Sequence, residues 1–155
     1  MVNRSTVYCL VLLSMFAGVH GKCHAGWVVW RNTCFMFSDI KEDWTQAELR
    51  CRAFHGRLLE ILDSETNRFV KDHLVSLGSL AKLRVYFVGA SDVAKEGTWE
   101  WNTNRERFDF TDWGTNQPGG SHAENCLALG GGDGFLWHDY PCHDQHEFIC
   151  TTENT

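Results

Sequence analysis

The cysteines that follow residue 21 constrain this chain more than any other feature. Six of its seven cysteines lie there: Cys23, Cys34, Cys51, Cys126, Cys142 and Cys150. An even number of cysteines in an exported chain favours disulfide bonds, because the secretory pathway is oxidising. Six cysteines allow fifteen pairings, and their spacing alone does not choose among them.

The N-terminal segment predicts that the chain is exported. A single positive charge, Arg4, precedes an apolar run from Val7 to Ala17, and small residues follow at Gly18 and Gly21. This order is typical of a secretory signal peptide, and the run is shorter than the roughly 20 residues that a membrane span needs. We therefore expect a signal peptide over residues 1–21, which includes Cys9, and a secreted, extracellular domain over residues 22–155.

The charge of the chain limits its partners. The full chain carries a net charge of −6, and loss of Arg4 with the signal peptide makes the mature domain one unit more negative. An acidic chain without a basic run argues against nucleic acid or an anionic membrane as partner. The acidic character is compatible with binding of divalent cations.

Two segments have helical periodicity. Residues 43–54 place apolar side chains on one face, and either Asp43 or Thr45 is suited to cap this helix. A second helix is expected from Asp63 or Ser64 to about Leu77, with Phe69, Val70, Leu74 and Leu77 on its apolar face.

The remaining apolar segments indicate strands. A strand pair with a turn at Arg31–Asn32 is expected within residues 27–37, and the segment from Asn102 to Gly134, rich in Gly, Asn, Asp and Ser, is expected to form a long ordered loop region. Strands followed by two helices and then by further strands and loops imply an α+β fold. Further short strands are expected over residues 57–61, 85–88, 99–101, 135–137 and 147–150.

Short motifs follow one another in a fixed order along the chain: Cys23–Trp27, Cys34–Ser38, Trp44–Cys51, Phe87–Asp92, Glu96–Trp101, Gln117–Gly119, Glu124–Cys126, Trp137–Asp139 and Phe148–Cys150. This ordered set resembles the long-form C-type-lectin-like domain family, and the resemblance covers residues 23–151. Across Gly89–Trp101 the chain is most similar to the mollusc perlucin-type lectins.

The resemblance implies a fold and a disulfide pattern. The expected architecture has two helices, small antiparallel sheets and a long ligand-binding loop region. The implied disulfides are Cys23–Cys34, Cys51–Cys150 and Cys126–Cys142. The last of these would fasten the loop region in which members of the family bind their ligands.

The resemblance also implies a calcium-assisted sugar site with a weakened cage. Gln117, Glu124 and Asp139 match ligand positions of the family, and a cis peptide bond is expected before Pro118. Gly119 stands where the family has Asn or Asp, and His138 stands where it has Asn. Calcium takes six to eight oxygen ligands, so we expect it to bind more weakly here than in a complete cage.

Two further metal sites are considered. Asp92 and Glu96, with Glu124 and Asn125 adjacent, match positions that hold an auxiliary calcium ion in some members; a solvated acidic turn is the alternative. His138 together with Glu124 and Asp139 is a candidate zinc or pH-sensitive site, because imidazole suits zinc better than calcium; an exposed loop histidine without a ligand is the alternative.

These observations favour a carbohydrate-binding lectin over an enzyme. No Gly-X-Ser-X-Gly or His-Glu-X-X-His motif occurs in the chain. The Gln117-Pro118 start of the site leans toward galactose or N-acetylgalactosamine, and the expected partners are glycans on microbial or host surfaces, in the manner of innate immune recognition. The alternative is a perlucin-type structural protein that binds shell mineral or matrix protein and no sugar.

Overall fold

The computed structural model describes residues 23–154. The expected signal peptide over residues 1–21 therefore lies outside the described residues. Within residues 23–154, no helix has the length and apolar character needed to cross a membrane.

Two helices form where the sequence predicts them. Helix α1 spans Trp44–Ala53 and helix α2 spans Ser64–Ser76. The Asp43 carboxylate caps α1 by accepting a hydrogen bond of 2.9 Å from the backbone N–H of Gln46, so Asp43 and not Thr45 is the cap. The Asp63 carboxylate caps α2 in the same way.

The buried faces of the helices differ in part from the prediction. Helix α2 buries Val70 and Leu74 as expected, but it also buries Asn67. Leu77 is 49% exposed, so its assignment to the apolar face is wrong. Leu77 lies beyond the last helical residue, where the chain turns away at Gly78 with a positive φ of 92°.

A single mixed sheet passes through the molecule in the order β1-β2-β8-β4-β6-β7, with β3 beside β8 and β5 beside β4. Strands β4 and β8 pair in parallel, and the other pairs are antiparallel. The strands are β1 Val28–Trp30, β2 Thr33–Phe37, β3 Arg57–Leu58, β4 Val85–Ser91, β5 Glu100–Trp101, β6 Cys126–Gly130, β7 Leu136–Tyr140 and β8 Glu147–Glu153.

Strand β6 corrects the expectation of a continuous loop region between Asn102 and Gly134. All five of its residues, Cys-Leu-Ala-Leu-Gly, are buried between β4 and β7. A strand that is covered on both faces lacks the alternation of apolar and polar residues that identifies a half-exposed strand. Its short length and its two small residues, Ala128 and Gly130, weaken the strand signal in the sequence further.

The three disulfides pair as the resemblance implies. The Cα atoms are 5.5 Å apart for Cys23–Cys34, 5.3 Å for Cys51–Cys150 and 5.1 Å for Cys126–Cys142. The second bridge joins α1 to β8, and the third joins the start of β6 to the loop after β7. Cys51, Cys126 and Cys150 are themselves buried in the hydrophobic core, whose largest fully buried side chains include Tyr86, Trp101 and Trp137.

A partly buried histidine predicts a loss of stability in mild acid. The imidazole of His146 lies 5.1 Å from the rings of both Phe87 and Tyr140, and burial lowers the pKa of His146 below its usual 6.5. Below about pH 6.5 the unfolded chain therefore binds more protons than the folded chain, so the free energy of unfolding falls as the pH falls. We expect His146→Gln to weaken this dependence.

Urea unfolding between pH 7.5 and pH 5 measures this effect. His143→Gln is the matched control, because the side chain of His143 is exposed and contacts only Asp144 among the described ion pairs. The prediction is wrong if His146→Gln and His143→Gln lose the same stability over this range.

Candidate functional site

The candidate residues come together because three neighbouring strands end at the same edge of the sheet. Ser91 of β4 pairs with Cys126 of β6, and Cys126 pairs with Tyr140 of β7. Asp92, Asn125 and Asp139 are each one residue from this row, and the backbone N–H of Asp92 donates to the carbonyl of Asn125 at 3.2 Å. The sheet register therefore places the two predicted calcium positions side by side.

The Gln117–Gly119 segment is held against β7 by backbone hydrogen bonds. The N–H of Gly114 donates to the carbonyl of Trp137 at 2.9 Å, and the N–H of Gln117 donates to the carbonyl of Gly114 at 3.0 Å. The Gln117–Pro118 peptide bond is cis, as predicted. The N–H of Gly119 then donates to Asp139 Oδ2 at 2.7 Å.

Position 119 faces the carboxylates of two other candidate ligands. A Cβ atom built on Gly119 would lie 3.6 Å from Asp139 Oδ2, 3.7 Å from Asp139 Oδ1 and 3.7 Å from Glu124 Oε2. Gly119, Glu124 and Asp139 thus surround one small volume. The missing side chain at position 119 leaves part of this volume without an oxygen donor.

Two oxygen atoms of this cluster have no hydrogen-bond partner among residues 23–154. They are Gln117 Oε1 and Asp139 Oδ1, both buried. Leaving a buried oxygen without a partner costs about 1–3 kcal/mol, and more for a charged group. Carboxylate and carboxamide oxygens are the ligands that calcium prefers, so these side chains fit such an ion.

Asp92 is the most buried acid of the neighbouring position, at 2% exposed. Its Oδ2 accepts a 2.8 Å hydrogen bond from the N–H of Gly97, and its Oδ1 has no partner in the described part of the chain. Burial raises the pKa of Asp92, with smaller increases from the charges of Glu96 and Asp139 and an opposing effect of the Gly97 hydrogen bond. Asp92 and Asp139 therefore belong to one acidic region.

The segment between the two positions is fixed by its own contacts. The N–H of Glu124 donates to the carbonyl of Ser121 at 2.9 Å, and the Asn125 carboxamide donates to the carbonyl of His122 at 2.9 Å. His122 Nδ1 lies 3.0 Å from Glu96 Oε2. Through His122, these contacts connect Glu96 to the loop that carries Glu124 and Asn125.

His138 does not join this cluster. Its Nε2 lies 2.7 Å from Asp133 Oδ2, and successive side chains of a strand point to opposite faces, so His138 and Asp139 point apart. Among residues 23–154, no group of three or more His, Cys, Asp or Glu side chains is arranged to hold a metal ion. The zinc site of His138, Glu124 and Asp139 is therefore not formed, and a calcium ion would need further oxygens from backbone, water or ligand.

One supporting network was absent from the sequence prediction. The Asn67 carboxamide accepts a 3.1 Å hydrogen bond from Trp137 Nε1 and donates one of 2.7 Å to Asp112 Oδ2, which also contacts Lys71 Nζ at 2.7 Å. The network attaches α2 to the strand that carries Asp139. The available signal was an Asn on the buried face of α2, three residues before Val70.

Comparison with known proteins gives the family. The model of the Lectin C-type domain matches residues 40–152. Perlucin from Haliotis laevigata is 34% identical over 133 residues, which cover 84% of this chain and 83% of perlucin. The perlucin-like protein from Mytilus galloprovincialis is 30% identical over 129 residues, which cover 83% of this chain and 81% of that protein.

A solved structure agrees with this assignment. The carbohydrate-recognition domain of the mouse scavenger receptor C-type lectin superposes with a TM-score of 0.75 at 27% identity, and the match covers 86% of this chain and 98% of that domain. This chain belongs to the C-type lectin domain family, whose members are non-enzymatic binding proteins.

Proposed function

We propose that this chain is a secreted carbohydrate-binding lectin whose site uses a weakly held calcium ion. The single observation that carries this proposal is the pair of buried oxygens without a partner in the described residues, Gln117 Oε1 and Asp139 Oδ1, of which Asp139 shares the space at position 119 with Glu124. Apolar or fully hydrogen-bonded side chains would be expected at these positions if they served the fold alone.

Gln117, Glu124 and Asp139 would hold the ion, and Asp92, Glu96 and Asn125 would support a second ion beside it. Calcium bound there would offer open coordination positions to two hydroxyl groups of a sugar. The side chains that hold the ion would also hydrogen-bond to those hydroxyls. Two carboxylates and one carboxamide supply fewer oxygens than calcium prefers, which is the reason for expecting weak binding.

The proposed sugar is galactose or N-acetylgalactosamine, on glycans of microbial or host surfaces. The Gln117-Pro118 start supports this preference. Gly119 contributes no side-chain oxygen, so one hydrogen-bonding partner of the sugar is missing. We therefore expect modest affinity for single sugars.

Calcium titration tests the proposal directly. We expect saturable calcium binding by calorimetry, and we expect Asp139→Asn to weaken it by at least about tenfold, because it removes one of the few charges that face the ion. Asp72→Asn removes an exposed carboxylate from α2 and serves as the matched control. A glycan array with calcium, and again with a chelator, should give galactose-type signals only with calcium.

A second candidate function rests on the two departures from the family pattern. Gly119 lacks an oxygen, and His138 contacts Asp133. These departures support a structural protein that binds shell mineral or matrix protein, as the similarity to perlucin suggests. This function is favoured if the wild-type chain binds neither calcium nor any glycan of the array while it remains folded.

A further inference from the structure

A hollow of about 430 Å³ lies between α2, the 3₁₀ helix Ser79–Leu83 that follows it, and the hairpin of β1 and β2. Much of its wall is apolar and is formed by Val28, Phe37, Leu77, Leu80 and Ala81. Ligand sites are typically concave, mostly apolar and about 300–1,000 Å³ in volume. The hollow is near the lower end of this range, so it suits one small molecule.

A buried hydroxyl group belongs to the wall of this hollow. Tyr86 lines the hollow and is fully buried, yet its hydroxyl forms no hydrogen bond of normal geometry with any of residues 23–154. Such a group costs stability when it is left without a partner, and native structures pair nearly all of them. Burial raises the pKa of Tyr86 and the nearby Arg84 guanidinium opposes this only in part, so the hydroxyl keeps its proton at neutral pH.

The charges near the Tyr86 hydroxyl favour an uncharged ligand. Arg84 Nε lies 3.4 Å from Glu147 Oε1, and the Glu147 side chain is only 4% exposed, so a buried carboxylate already neutralises the guanidinium. Burial lowers the pKa of His73, which also lines the hollow, so this imidazole is neutral at pH 7. Asp39 is exposed, and water and salt screen its charge. A carboxylate ligand would be repelled by Glu147 and an ammonium ligand by Arg84, whereas a hydroxyl meets neither repulsion.

From this arrangement we propose that the hollow binds a small uncharged amphiphile, an alcohol with an apolar body, and that the hydroxyl of this ligand pairs with the hydroxyl of Tyr86. The apolar body would pack against Val28 and Leu80, and the hydrogen bond would give the buried Tyr86 oxygen its partner.

The site is separate from the candidate calcium site. Tyr86 lies near the start of β4, five residues before Ser91 at its other end, which is roughly 16 Å along the strand. The candidate calcium ligands lie beyond the Ser91 end. Binding in the hollow therefore requires neither calcium nor sugar, and the proposal does not rest on the proposed lectin function.

NMR titration of the folded, disulfide-bonded chain with 1-octanol, in the absence of calcium, tests the site. We expect saturable shifts of the backbone amides of Val28, Ala81 and Tyr86 with a dissociation constant below about 1 mM, and no shifts at Glu124 or Asp139. Octanoate and octylammonium carry chains of the same length with charged heads. Each should bind at least about fivefold more weakly than 1-octanol, because its head is repelled by a charge beside Tyr86.

Two substitutions and a matched control separate binding from folding. Tyr86→Phe removes only the hydroxyl, so it should weaken 1-octanol binding about two- to tenfold, the effect of one hydrogen bond, without lowering the urea midpoint. Val28→Phe should weaken binding at least as much, because the larger side chain fills part of the hollow. Val29→Phe is the control, since the next side chain of β1 is exposed on the opposite face of the strand and should leave binding unchanged.

Three results would overturn the proposal. The hollow is not a ligand site if 1-octanol causes no saturable shifts at Val28, Ala81 and Tyr86. The ligand class is wrong if octanoate or octylammonium binds more tightly than 1-octanol. The Tyr86 hydroxyl serves the fold and not a ligand if Tyr86→Phe lowers the urea midpoint and leaves the affinity for 1-octanol unchanged.

Discussion

Replacing both Cys51 and Cys150 by Ala is expected to lower the free energy of unfolding by about 2–5 kcal/mol. The bridge joins α1 to β8 across a sequence separation of 99 residues. Without it the unfolded chain gains a large conformational entropy, because this long loop is no longer closed. Both residues are fully buried, and the smaller side chains leave space in the core cluster that also contains Ala47 and Phe148. Urea unfolding followed by tryptophan fluorescence measures the change.

The Cys23–Cys34 bridge provides the internal comparison. It closes a sequence separation of only 11 residues, so the chain-entropy model assigns it a smaller effect. We therefore expect replacement of Cys23 and Cys34 by Ala to cost less than replacement of Cys51 and Cys150. Equal losses for the two pairs would argue that loop length does not govern stability here.

Local signals explain why much of the fold could be predicted. The cap of α1, the start of α2 and the turn between β1 and β2 depend on neighbours within a few residues. The turn is confirmed, and of the alternatives that the sequence left open the structure selects Asp43 as the cap and Ser64 as the first residue of α2. Strand β6 escaped prediction because its burial comes from β4 and β7, which are distant in sequence. Leu77 was misplaced because a periodic pattern does not reveal where the last helical turn ends.

The candidate site, like the fold, could be predicted from the sequence only in part. The resemblance identified Gln117, Glu124 and Asp139. The structure brings Glu124 and Asp139 together at position 119 and leaves Gln117 Oε1 buried without a partner in the described residues. The direction of the His138 side chain depends on which residues of β7 face each side of the sheet and on the contact with Asp133, which lies shortly before β7. A comparison of motifs contains neither kind of information. Asn67 acts through tertiary contacts to Trp137, so only its unusual position on a buried helix face could have indicated it.

The substitution Gly119→Asp is expected to tighten calcium binding by about tenfold or more, since it adds a third carboxylate to a site of hard oxygen ligands. The added Cβ atom would lie 3.6–3.7 Å from the Asp139 and Glu124 carboxylates in ordinary van der Waals contact, and the backbone at this position is not left-handed. The substitution is therefore sterically compatible with the site. Calorimetric titration measures the affinity, and glycan binding with and without chelator measures the consequence for galactose.

His138 is the second residue that departs from the family pattern, and its contact with Asp133 changes the effect on calcium affinity that we expect from replacing it. Because the His138 side chain points away from Asp139, His138→Asn alone should alter calcium affinity little. In a variant that combines Gly119→Asp with His138→Asn, the gain should therefore come from the carboxylate added at position 119. Gly132→Asp adds the same charge in open space outside the cluster and should leave the affinity near that of the wild type. Equal tightening by Gly132→Asp would mean that net charge, and not a ligand at position 119, strengthens binding. Tighter calcium binding without any glycan binding would favour the structural function, because a completed cage would then still fail to engage sugar.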